Sequence, residues 1–305
     1  MIEGRLLSAN VGCFHPKGKK FTYSLFDRSL AILIGKKIQK EKYDICLIQE
    51  GWTFVDELFP RESDEYEVLG LNDMIAVRKE YGSFEPGSYR SYSKQFINSE
   101  TGLINILEEG AYNGSTNPSE FAVPADFDVT SVIINVKPNK IQIGQQNGKQ
   151  TNQQNGKQTN EKILVVNVHV TSAPWNNERR AYEIRQWIIN DAITLANEKC
   201  SGKVLIAGDF NEDETRNPNS KSSQAIVELL NKPNMKDASN GNMDSTTNYP
   251  LMKRKLDHMM GTAQFSDFRI EQPLLIEDLK VFKKKHRFSW MFIDHRSISA
   301  RFQFN

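Results

Sequence analysis

The chain has 305 residues, 38% of them hydrophobic and 25% charged, with a formal net charge of +1. This apolar content supports a sizeable core and excludes wholesale disorder. The near-neutral balance removes any bulk electrostatic case for nucleic acid or an anionic membrane, so a basic patch must be local.

The first residues, Met1 to Leu7, lack a long apolar region behind a basic start, so no classical signal peptide is visible and a cytoplasmic location is expected. Residues 6–11 form a short apolar run that reads as a buried strand. From residue 25 to about 42, Leu30, Leu33, Ile34 and Ile38 recur at helical spacing. The compact apolar run 44–50 then reads as an inner strand delivering Gln49 and Glu50 to its C-terminal end. Strand-like runs follow at 66–69, 74–78 and 129–136. The stretch 82–128 is rich in Gly, Ser, Asn and Pro and predicts long loops with short strands.

Residues 145–152 read QQNGKQTN, and residues 153–160 repeat them in full. A polar tandem repeat without apolar anchors cannot build a core, so a flexible, solvated insertion is expected at about 144–161, joining two adjacent strands as a hairpin loop. The strand after it ends at His169. Helical spacing returns over 177–199 at Ile184, Ile188, Ala192 and Leu195. Residues 203–209 predict a buried strand ending in an acid, 222–231 a helix, and 256–260 a short strand. Residues 298–304 alternate apolar and polar side chains, as a closing strand with one wet face does. No composition break divides residues 1–305, which predicts a single domain. Cys13, Cys46 and Cys200 are odd in number and far apart, excluding a disulfide framework or a CxxC metal pair.

Asn10, Glu50, His169, Asp209 with Asn211, and Asp257 each follow or close an apolar run, and Asp294-His295 precedes the last strand. Any one of them reads as a turn or capping residue. Together they predict a shared rim, where carboxylates need a cation or hydrogen bonds to stay charged. Glu50 and Asp294 are hard oxygen donors suited to Mg²⁺ or Mn²⁺, and no HExxH or Cys/His cluster points to zinc. A phosphate ester needs its charge neutralised, a water oriented and a leaving oxygen stabilised, and these residue types supply all three.

In chain order these motifs resemble the endonuclease/exonuclease/phosphatase superfamily, typified by pancreatic deoxyribonuclease. Leu7-Ser8-Ala9-Asn10 resembles its first motif, Ile48-Gln49-Glu50 its QE motif, and Val168-His169-Val170-Thr171-Ser172 its His-bearing strand end. Gly208-Asp209-Phe210-Asn211 resembles GDFN, the most specific of the set. Leu256-Asp257-His258 and Asp294-His295 resemble the last two motifs, with Ile293 where Ser is usual, Ser297 where Pro is common, and His258 where Arg or Tyr is frequent.

The resemblance implies a four-layer α/β/β/α sandwich, two mixed sheets packed face to face with helices outside. It implies Asn10, Glu50 and Asp294 as metal residues and His169, Asp209, Asn211, Asp257 and His295 as catalytic ones. The implied activity is Mg²⁺-dependent phosphodiester hydrolysis by a monomer, with nucleic acid as first substrate, lipid or inositol phosphate as second, and a decayed binding module as the non-enzyme reading. The acid that orients His169 has no motif; Glu65, Glu67 and Asp73 all stand as candidates. The run 283–287, KKKHR, reads either as a phosphate-contacting loop or as a solvated face. Trp52, Trp175 and Trp290 read as base-stacking groups or as packing residues. Lys36-Lys37 and Arg179-Arg180 read as wet helix faces.

Overall fold

The computed structural model describes residues 1–11, 23–51, 55–60, 64–70, 73–97, 104–108, 126–137, 161–170, 178–213, 221–242, 244–246, 254–271 and 295–305. The first half of the chain holds β1 (Ile2–Asn10), α1 (Tyr23–Glu41), β2 (Ile45–Gln49), α2 (Val55–Leu58), β3 (Tyr66–Leu69), β4 (Met74–Arg78), β5 (Gly82–Phe84), β6 (Arg90–Ile97), β7 (Ile104–Glu108) and β8 (Asp126–Val136). The second half holds β9 (Glu161–Val170), α3 (Glu178–Lys199), β10 (Val204–Asp209), α4 (Lys221–Leu230), β11 (Lys236–Asp237), β12 (Asp257–Gly261), β13 (Gln264–Ile270) and β14 (Ile298–Phe304).

The strands form two sheets. One runs β13-β14-β1-β2-β4-β3; the other runs β11-β12-β10-β9-β8-β6-β7, with β5 also on β8. Each sheet contains one parallel pair, β1 with β2 and β9 with β10, joined through α1 and α3 respectively. All other pairings are antiparallel, so both sheets are mixed.

Consecutive residues of the central strands are buried on both faces, which is why their sequences are continuous apolar runs instead of alternating ones. Leu6, Ile45, Leu47 and Ile75 of the first sheet meet Val132, Val165, Leu205 and Met259 of the second, forming the inter-sheet core. Leu7, Cys46, Ile48 and Ala76 face the other way, against Ile34 and Ile38 of α1 and Leu58 of α2. On the far side Leu164, Val166 and Ile206 pack against Ile189 and Leu195 of α3 and Ile226 and Leu229 of α4. The result is the expected four-layer α/β/β/α sandwich. Among the described residues no helix is long and apolar enough to cross a membrane.

The sequence reading is corrected at several places. The stretch expected to be mostly loop contains the eight-residue β6, and β8 begins at Asp126 instead of Val129. Strand β13 was not anticipated: its apolar residues Phe265, Phe268 and Ile270 are only half-buried and do not alternate, the register shifting between Ser266 and Arg269. In β14 Arg301 is exposed as expected, but Ser299 is buried and its hydroxyl donates to Glu271. The QQNGKQTN repeat, the run 283–287, Trp52, Trp175, Trp290, Ile293 and Asp294 lie outside the described residues, as do the side chains of Arg179 and Arg180.

Lys37 is not simply a wet residue: its ammonium lies 2.9 Å from Glu271, tying α1 to the end of β13. Glu271 also accepts from Tyr43 and Ser299. Burial opposes its ionisation, but the Lys37, Ser299 and Tyr43 hydrogen bonds outweigh burial and hold its carboxyl below the ordinary carboxylate range. A carboxyl lowered in the folded state contributes stability above its unfolded pKa of about 4.3, and that contribution is lost as pH falls through the folded value. Glu271→Gln is therefore expected to destabilise by roughly 1 kcal/mol at pH 7 in urea unfolding. The gap between variant and wild type should close below about pH 4; a gap that widens in acid would count against this account.

Candidate active site

The topology explains how distant residues reach one rim. The parallel strands of each pair end together, Asn10 beside Gln49 in the first sheet and Asp209 beside His169 in the second. Antiparallel neighbours begin where these end. Asp257 starts β12 opposite Asp209, Met74 starts β4 opposite Ile48, and Ile298 starts β14 opposite Ser8. Asp73 and His295 precede those last two starts. The rim thus receives C-terminal ends of parallel strands and N-terminal starts of antiparallel ones. Asp257, read from sequence as closing an apolar run, in fact opens its strand.

Asp209, 1% exposed, is the hub. Its Oδ1 accepts from the Asn211 backbone N–H at 2.7 Å. Its Oδ2 accepts from Asn211 Nδ2 at 3.1 Å and Asn10 Nδ2 at 3.2 Å, and lies 3.4 Å from His295 Nε2. His295 Nδ1 is 2.9 Å from Asp257 Oδ2, so a carboxylate there fixes Nδ1 as the protonated nitrogen and aims Nε2 at Asp209. Burial raises the Asp209 pKa to about 6, the Asp257 charge adds to that, and His295, His169 and the Asn211 N–H oppose it.

On the other side of the cleft Glu50 Oε1 accepts from Asn10 Nδ2 at 3.2 Å and sits 3.4 Å from His169 Nε2. His169 Nδ1 lies 3.4 Å from Asp73 Oδ1. Burial alone would lower the His169 pKa, but Asp73, Glu50 and then Asp209 overcome it and raise it well above the ordinary value. The carboxylates on either side of the ring thus favour its protonated form. Glu50 is held below the ordinary carboxylate range: burial opposes ionisation, and His169 with Asn10 prevails.

Asp73 answers the question left open by sequence. Glu67 instead accepts from the Phe84 N–H at 3.3 Å, away from His169. Sequence reasoning named Asp73 with Glu65 and Glu67 but could not single it out, because it precedes its apolar run, whereas the search favoured groups that follow one. A missed feature lies directly beneath the rim. Gln49 and Asn167, both fully buried, meet side chain to side chain at 2.5 Å across the sheets, and Asn167 Nδ2 donates to the carbonyls of Ile48 and Met74. His258, the unusual residue after Asp257, turns to the outer core, its Nε2 3.0 Å from the Glu212 carbonyl and its ring edge-on to Phe210 at 5.6 Å. It is a hydrogen-bonded core histidine.

Local backbone strain supports a functional rim. Glu50 and Asn211 both occupy the left-handed region, at φ 56° and 49°. Asn tolerates that conformation, but for Glu it costs free energy that surrounding structure must offset. Gly208, at φ 146°, is pressed on β9: a Cβ there would lie 1.9 Å from the Val168 carbonyl oxygen. Gly208→Ala should destabilise the fold by roughly 2–4 kcal/mol in urea unfolding. A loss below half a kilocalorie would show that β10 can move off β9 freely.

The donor set fits a hard divalent cation. Ligand atoms of Asp209, Asp257 and His295 lie within 4.8 Å of one another, all buried. Glu50 and Asn10 add a carboxylate and an amide beside them. Burial first, and then the neighbouring Asp257 charge, disfavour ionised Asp209, and a cation beside these carboxylates would offset both.

Comparison with known proteins follows the same lines. The model of the "Endonuclease/Exonuclease/phosphatase family" matches residues 7–277. No curated protein matches the sequence. Among solved structures, an endonuclease/exonuclease/phosphatase from Bacteroides vulgatus superposes with a TM-score of 0.63 at 14% identity, covering 100% of both chains. The mannosyl-6-phosphatase of Bacteroides thetaiotaomicron VPI-5482 gives 0.59 at 14% identity, covering 98% of this chain and 99% of that one. D. rerio TDP2, complexed with a single-strand DNA product, gives 0.57 at 12% identity over 99% of each chain. At these identities the superpositions establish a shared fold.

Proposed function

The chain belongs to the endonuclease/exonuclease/phosphatase family, and from that premise we propose that it is a Mg²⁺-dependent phosphodiester hydrolase acting on nucleic acid by in-line attack of water. One observation carries the reading: Asp209 and His169 meet at a common rim with Glu50, Asp257 and His295, each within 3.4 Å of another member of the set.

Asp209 is the group that orients the attacking water and takes its proton, since it is buried, held on both oxygens and poised near neutrality. His169 holds a phosphate oxygen electrostatically, with Asp73 setting its orientation. His295, aligned by Asp257, faces the phosphate and delivers a proton towards the leaving oxygen. Asn211 was expected to steady the phosphate; its amide donates to Val170 O at 2.6 Å and to Asp209, so in this arrangement its part is to orient Asp209. Glu50 and Asn10 would hold the cation, with Asp294 as the further expected ligand and Asp209, Asp257 and His295 adjoining. When bound, the cation supplies neutralisation of phosphate charge. We assign these roles to one catalytic domain. The β8–β9 ladder closes with Val136 opposite Glu161, so neither sheet depends on the repeat between them.

Nucleic acid is put first because the His169 strand end, which resembles both the deoxyribonuclease and the sphingomyelinase branches, is followed by Ser172-Ala173-Pro174, which resembles the deoxyribonucleases. The test is a panel of plasmid DNA, RNA, sphingomyelin and phosphoinositides with Mg²⁺ or EDTA. Cleavage of DNA or RNA that EDTA abolishes is expected. Turnover of sphingomyelin or phosphoinositides alone would move the assignment to lipid phosphates. No turnover together with no Mg²⁺ binding would leave only the binding-module reading.

A further inference from the structure

The 2.9 Å contact between Asp257 and His295 joins residues 38 positions apart, and both sit where strand pairing gives out. β11 is two residues long and ends at Asp237, opposite Met260. It does not reach Leu256 or Asp257, so the β11–β12 ladder leaves their N–H groups uncovered. Buried donors of that kind need another acceptor.

That acceptor is Thr246. Its Oγ1 accepts from Leu256 N at 2.9 Å and from Asp257 N at 3.1 Å. Its own N–H donates to the Arg254 carbonyl at 2.9 Å, and its carbonyl accepts from Arg296 N, the residue after His295, at 2.6 Å. Thr246 is itself fully buried. One side chain thus fixes the backbone at Asp257, and the same residue's carbonyl fixes the backbone next to His295. Nothing in the catalytic motifs points to it, since it lies in a loop outside every apolar run.

We propose that Thr246 is a positioning residue for hydrolysis: its hydroxyl and carbonyl set the register between Asp257 and His295, and so the direction in which His295 Nε2 points. The inference rests on the functional reading above, but it makes a structural claim that can be read without turnover. Valine matches threonine in shape and lacks the acceptor, leaving two buried N–H groups without it. Serine keeps the acceptor and drops only a methyl group.

The experiment compares Thr246→Val, Thr246→Ser and His295→Ala, singly and as Thr246→Val/His295→Ala, on a fluorophore-quenched single-stranded DNA oligonucleotide with Mg²⁺. Thr246→Val should lower kcat roughly 10- to 100-fold, because small misplacement of a catalytic group is costly, with KM changed less than about twofold. Thr246→Ser should stay near wild type. In the His295→Ala background, Thr246→Val should cost little more, because the group it positions is gone. Proton NMR supplies the second readout: the downfield Nδ1 resonance of His295 should be present in wild type and Thr246→Ser and weakened or lost in Thr246→Val. If Thr246→Val does not fold, Thr246→Ala replaces it in every comparison. An unchanged resonance in the folded variant, or equal losses in both backgrounds, overturns the inference. An inactive wild type, or a fully active His295→Ala, sinks the functional reading instead, and the NMR comparison then decides the positioning claim alone.

Discussion

Asp209→Asn is expected to lower kcat for phosphodiester cleavage by about a thousandfold or more, because it removes the group proposed to accept the proton of an attacking water. The same substitution should stabilise the metal-free protein. Asp209 is 1% exposed, and burial and the Asp257 charge push its pKa to about 6. A carboxyl raised in the folded state favours folding below its unfolded pKa, and that advantage is lost as pH rises through the folded value. At pH 7 the wild type therefore carries an unfavourable buried charge that asparagine lacks, while asparagine retains the shape and an oxygen for the Asn211 N–H. Thermal unfolding in EDTA at pH 7 should show the variant melting above wild type, with the difference shrinking towards about pH 4. Added Mg²⁺ should raise the wild-type Tm more than the variant's. A variant that melts lower and loses activity would mean that Asp209 is structural.

His169→Ala is the second large effect. It removes an imidazole whose protonated form Asp73 and Glu50 favour, and the expected fall in kcat is about 100- to 1,000-fold, the range seen when one preorganised charge-stabilising group is lost. Two carboxylates would remain beside the vacated position, Glu50 and the buried Asp73. Loss of their partner should also destabilise the protein, in contrast to Asp209→Asn. Steady-state kinetics and urea unfolding on both variants separate the two cases. Equal and opposite stability changes are not required; a rise for His169→Ala would contradict the charge assignment. Asp73→Asn should fall between wild type and His169→Ala in kcat, since it loosens the imidazole without removing it.

The strands that carry the site were legible because they are buried on both faces. Runs such as residues 45–48 and 204–207 announce themselves without any neighbour. Polar groups directly behind such runs were equally visible, which brought out Asn10, Glu50, His169 and Asp209. Asp73 stayed one of three candidates and Thr246 stayed hidden because their placement depends on which strand lies alongside: one precedes a strand, the other fills a gap left by a short one. In the edge strand β13 the register shift between Ser266 and Arg269 breaks the two-residue spacing of Phe265, Phe268 and Ile270, so no alternation marked it as a strand. Gln49 was visible as a strand-end residue, but its bond to Asn167 joins two sheets and is a property of their packing alone.

The pairing of β1 with β14, from Ile2 opposite Phe304 to Ser8 opposite Ile298, has a consequence for biosynthesis. β1 is made well before β14 and waits for it before gaining this antiparallel neighbour. His295 arrives on that same late segment. A ribosome-bound chain lacking it holds Asn10, Glu50, His169 and Asp209 but not the imidazole opposite Asp209. Such non-local closure is slow compared with local contacts. On the roles proposed above, the site therefore stays incomplete until β14 has been made and paired.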